Sequence, residues 1–130
     1  MLFVCAGLFS AYAQPSPPKK QGDSLWTMPL KDLRKIYLPL DRDSLAVIPY
    51  LKVYMDRAKK GGDSIEIAFA YMDMIWISPD KVKMQYADSI ILFTEHKIHT
   101  HFPAFGYSTK GQVLYYEGRY EDALKQYIQA

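Results

Sequence analysis

"GYSTKGQVLYYEGRYEDALKQYIQA", residues 106–130, decides how the rest of the chain is read. Its spacing predicts two short amphipathic helices joined at Glu117-Gly118-Arg119. In the first, Tyr107 and Leu114 are expected to face a partner helix, and Gly111 to let the two backbones come close. Gly118 permits the turn, after which Tyr120, Ala123, Leu124 and Tyr127 recur at i, i+3, i+4 and i+7. Ala123 is the small residue against which the first helix can pack, while Glu121, Asp122, Lys125 and Gln129 cover the opposite face. An apolar face is thus built with no later segment to cover it, and the expectation is an opening part of a longer helical stack.

The same 3.6-residue period runs upstream, with no alternation long enough for a sheet. A first helix is predicted from Pro29 to Leu38, striped by Leu30, Leu33, Ile36 and Tyr37 and stopped by Pro39. A second begins near Asp43-Ser44 and ends at Lys59-Lys60-Gly61-Gly62, with Pro49 kinking it or delaying its start. Asp63, with Glu66 as a capping box, opens a third helix to about Ile77 that leaves almost no polar face and must be enclosed on most sides. Ser78-Pro79 starts a fourth, to about His96, and a loop around His101-Phe102-Pro103 leads to the closing pair. The expected fold is all-α, with six helices in three antiparallel pairs.

On these residues the closing segment resembles the tetratricopeptide repeat (TPR). The family's small and aromatic positions fall on Tyr107, Gly111, Leu114, Gly118, Tyr120, Ala123, Leu124, Tyr127 and Ala130, with Lys110 where a leucine is usual. Residues 64–96 resemble a degenerate copy, with Met84 and Ala87 in the places of Leu124 and Tyr127 and with Lys83 at the small-residue position, which implies looser packing there. Residues 29–60 match in outline. The resemblance implies a TPR-like α-solenoid over residues 29–130, incomplete at its C-terminus, whose first helices form an inner binding surface. That orientation would make Tyr71, Asp73, Met74, Lys110 and Tyr115 contact residues for a protein or peptide segment. It implies neither a cofactor nor turnover.

The front end adds a destination. "MLFVCAGLFSAYAQ" has an apolar run from Leu2 to Phe9 and then Ala11-Tyr12-Ala13, the form of a secretory signal cleaved after Ala13, although no Lys or Arg precedes the run. It is too short for a membrane span, which needs about 20 apolar residues. Cys5, the only cysteine, lies inside this signal, and Val4 before it does not fit a lipoprotein site. Residues 14–28 are expected to form a flexible tether, rich in Pro at their start. Together with openings such as Asp43-Ser44, Asp63-Ser64 and Asp88-Ser89, the arrangement also resembles Bacteroidetes-type regulators, in which periplasmic TPR pairs act as a sensor. There a transmembrane helix and a cytoplasmic AraC- or LuxR-type domain follow. The implied place is the periplasm or cell envelope.

A net charge of +2 is too small, and too evenly spread, to imply nucleic acid as a partner of this chain. The rival chemistry is "EHKIHTHF", where His96 and His99 at i, i+3 could share a helix face with His101 nearby, as in a small metal-binding or hydrolytic protein. Histidine at a helix end also complements the dipole without any ligand. Asp73, in the apolar third helix, is expected to face a groove or pair with a basic neighbour. Self-association through the open C-terminal face is a further possibility for the partner.

Overall fold

The structure, a computed structural model, describes residues 22–40 and 45–130. The expected signal, residues 14–21 of the expected tether and the Asp43-Ser44 cap lie outside them. Among the described residues there are seven helices and no strand. They are α1 (Gly22–Thr27), α2 (Leu30–Tyr37), α3 (Ile48–Gly61), α4 (Ser64–Trp76), α5 (Asp80–Thr94), α6 (Ala104–Tyr116) and α7 (Tyr120–Gln129). From α2 onward each packs on the next in chain order, and α1 leans on α3.

The element boundaries follow from local chemistry. Pro49 sits in the first turn of α3, where its missing N–H costs nothing, so it delays the helix rather than kinking it. Gly62 ends α3 at φ 70°, and its N–H donates to the carbonyls of Ala58 and Lys59. Asp63 then caps α4: its Oδ1 accepts from Ile65 N–H at 2.9 Å and Glu66 N–H at 3.3 Å. The other half of the expected capping box serves a different purpose, because Glu66 Oε2 accepts from the Tyr54 hydroxyl of α3.

One helix lies where a tether was expected. α1 buries Leu25 completely, and Arg57 of α3 reaches back to satisfy the carbonyls that end it, donating to Leu25 O at 2.7 Å and Met28 O at 2.6 Å. Leu25, Leu33, Tyr37, Leu51 and Tyr54 form one core cluster with Ala70 of α4. A second cluster joins Ala68 and Ile75 of α4 to Ile90 of α5 and Phe102 of the following loop. As its composition requires, α4 is the enclosed helix, flanked by α3 and α5 and contributing to both clusters.

The closing pair holds a correction. Gly111 faces the ring of Tyr127: a Cβ there would stand 2.7 Å from Cε1, so the glycine makes room for a side chain rather than for a backbone. Backbone proximity lies instead between α5 and α6, where a Cβ on Gly106 would meet Ala87 O at 3.0 Å and Ile91 Cγ1 at 2.8 Å. Gly118 makes the turn at φ 79°, and Ala123 and Leu114 are buried, as the spacing predicts. Tyr107 is half-buried, whereas Tyr120, Leu124, Tyr127 and Ala130 are exposed along α7.

Candidate functional site

α3 places Leu51, Lys52, Met55, Asp56 and Lys59 along one side of its axis, as i, i+1, i+4, i+5 and i+8 positions must fall. Tyr71 and Met74 of α4, one turn apart, form the floor beside them, and Tyr86 of α5 closes the far wall. The result is an open groove of about 360 Å³. Its floor is fixed by aromatic packing. The Tyr71 ring lies 5.5 Å from Tyr86 and is stacked with Phe93 at 6.3 Å, while Lys59 Nζ stands 5.6 Å from its centroid. Asp56 is engaged by Lys60 at 3.0 Å on the same helix.

Of the five residues expected to contact a ligand, the structure brings only Tyr71 and Met74 into this groove. Asp73 points to the other side of α4, 6% exposed, and is consumed by the core. It accepts from Arg34 Nε at 2.8 Å, Arg34 Nη2 at 2.9 Å and the Tyr37 hydroxyl at 2.6 Å. The arrangement locks α2 to α4, and Arg34 also lies over the Phe69 ring at 4.3 Å. Burial lowers the Arg34 pKa, but the bond and charge of Asp73 more than offset it, so the net shift is upward. Burial foremost, then the Asp73 charge, pushes the Tyr37 hydroxyl far above the usual tyrosine range. Tyr54 is raised likewise, by burial and by its bond to Glu66.

Lys110 is tied to Asp88 of α5 at 2.6 Å, and Tyr115 packs against Tyr116 and Tyr120 at the opposite end of the stack. The histidines do not form the site that their spacing suggested. α5 ends at Thr94, so His96 and His99 share no helix face. His96 is exposed beside Glu95, and His99 stacks on the buried Phe102 with ring centroids 5.1 Å apart. His99 Nδ1 accepts from the His101 backbone N–H at 3.2 Å. Among the described residues, no three His, Cys, Asp or Glu side chains stand close enough to share a metal ion.

A second hollow, of about 300 Å³, opens beside Lys83. Trp76, Phe105, Gln112 and Tyr127 also line it. Sequence reasoning missed Met55, Lys59 and Tyr86 as groove residues. Met55 and Tyr86 stand at apolar positions of their helices and read as core, and Lys59 reads as a cation that complements the end of its helix. No protein-family model matches the chain, and neither curated proteins nor solved structures provide a match.

Proposed function

We propose that this chain is a TPR-like interaction module that holds a protein or peptide segment in the groove across α3, α4 and α5. The observation that carries the reading is the groove itself: an open, aromatic-floored groove between α3, α4 and α5, large enough to take one or two bulky side chains. Sequential antiparallel packing and the Gly118 turn support its kinship with helical repeats. Export by the leader, and service as the sensor portion of a larger signalling or transcription-regulating protein, complete the proposal. No described helix is long and apolar enough to cross a membrane.

The exposed side of α7, with Leu124, Tyr127 and Ile128, accords with a further helix seated there. The test is a selection of displayed random peptides on the protein, with counter-selection on Tyr71→Ala. The proposal expects sequences that bind the parent and lose at least about tenfold in affinity on the variant, the scale of one buried aromatic contact. Selected peptides that bind both proteins equally would contradict it.

A further inference from the structure

We infer that the second hollow, walled by α4, α5, α6 and α7, binds one ring of a neutral saccharide, which stacks on Trp76, Phe105 and Tyr127 and hydrogen-bonds to Ser108 and Gln112. The hollow shares no lining residue with the groove proposed above, so the inference adds a small-molecule ligand and does not depend on that reading. At about 300 Å³ it lies at the small end of the range for small-molecule sites, and it opens to solvent, where the rest of a sugar chain could run.

Three observations carry the inference. The first is an aromatic surface left open. Trp76 is 51% exposed and Tyr127 44%, and the Trp76 ring stands 6.2 Å from that of Phe105 at 50°. Tyr127 is seated by Gly111, whose missing Cβ leaves its ring the space to lie on α6. Rings placed in this way offer an apolar surface to the C–H groups of a sugar ring while water still reaches its hydroxyls.

The second is the chemistry of the polar groups between those rings. Ser108 and Gln112 stand one turn apart on α6, and neither side chain has a hydrogen-bond partner among the described residues. A hydroxyl and a carboxamide each donate and accept, as does every hydroxyl of a saccharide. The third is charge. Lys83, the charged residue of the lining, is engaged by Asp80 at 2.9 Å, so a phosphorylated or carboxylated ligand would have to compete with that carboxylate. A wholly apolar ligand would strip water from Ser108 and Gln112 without replacing it.

The chain holds two tryptophans, and Trp26 lies on α1, so Trp26→Phe leaves Trp76 as the single reporter. The experiment titrates the full chain carrying that substitution with cellopentaose, xylopentaose, mannopentaose, maltopentaose and penta-N-acetylchitopentaose, and with oligogalacturonate as the acidic control, following Trp76 emission. The inference expects a saturable change with at least one neutral probe, at a dissociation constant of about 1 mM or tighter. Gln112→Ala should weaken it at least about fivefold, and Ser108→Ala/Gln112→Ala further. Circular dichroism of both variants should match the parent, because both side chains are exposed.

Emission unchanged by every neutral probe at about 10 mM would overturn the inference. So would preferential binding of oligogalacturonate, or neutral binding that Ser108→Ala/Gln112→Ala leaves intact. Random-sequence peptides that change Trp76 emission in a Gln112-dependent way, where the sugars do not, would give the hollow to a protein segment and refute the saccharide.

Discussion

Replacing Asp73 by alanine removes the acceptor on which α2 and α4 meet. The Tyr37 hydroxyl, in a side chain 1% exposed, would be left without a partner at a cost of about 1–3 kcal/mol. The Arg34 guanidinium would lose both its bonds and its counter-charge, and breaking one side of a buried pair costs about 3–5 kcal/mol. Arg34 is 20% exposed, so water can reach part of it and the two costs do not simply add. The expected loss is about 3–5 kcal/mol in all, a fall in melting temperature of at least about 12 °C for a domain of this size. Urea unfolding followed by far-ultraviolet circular dichroism measures it. Asp73→Asn, which keeps an acceptor for Tyr37, should lose less, and Arg34→Met/Asp73→Leu should recover part of the loss, because no buried charge is then orphaned. An unfolding free energy lowered by less than about 1 kcal/mol in Asp73→Ala would refute the anchoring role.

Gly106→Ala should destabilise by about 1–3 kcal/mol, because the new methyl meets the Ala87 carbonyl and Ile91, whereas Gly111→Ala meets only the exposed Tyr127 ring and should cost under about 1 kcal/mol; parallel thermal melts compare them. Ala123→Leu should overpack the α6–α7 contact by about 1–3 kcal/mol, and an unchanged melting temperature would show that Ala123 lies at no helix contact. Tyr37 and Tyr54 have folded pKa values above those of the unfolded chain, so the stability they contribute is intact below about pH 10 and is lost as pH rises through the folded values. Equilibrium unfolding across alkaline pH should show this decline, and Tyr37→Phe should make it shallower.

The helices were legible because their ends carry local chemistry. Asp63, Gly62, Pro49 and Gly118 act on backbone groups within four residues, and such signals survive in any context. α1 was not legible: Gly-Asp-Ser before Leu25-Trp26 reads as a tether until Arg57, 32 residues on, supplies hydrogen bonds to its carbonyls. The same limit explains the two glycines. Gly111 fell at the position the repeat reserves for a small residue, but which glycine meets a backbone depends on how α6 crosses α5, and the repeat pattern alone does not set that crossing.

Of the site, Tyr71 and Met74 were reachable because an almost wholly apolar helix must offer something to each neighbour. Asp73 was only half legible. Its pairing with a basic residue was expected, yet Arg34 lies 39 residues away and only the fold identifies it.

The most direct measurement is amide and methyl NMR of the labelled chain, titrated with a peptide chosen by the Tyr71-dependent selection. Shifts concentrated at Leu51 to Lys59, Tyr71 to Met74 and Tyr86 are the predicted result. Shifts confined to Tyr120 to Ile128, with those three stretches unmoved, would contradict the groove and place recognition on α7.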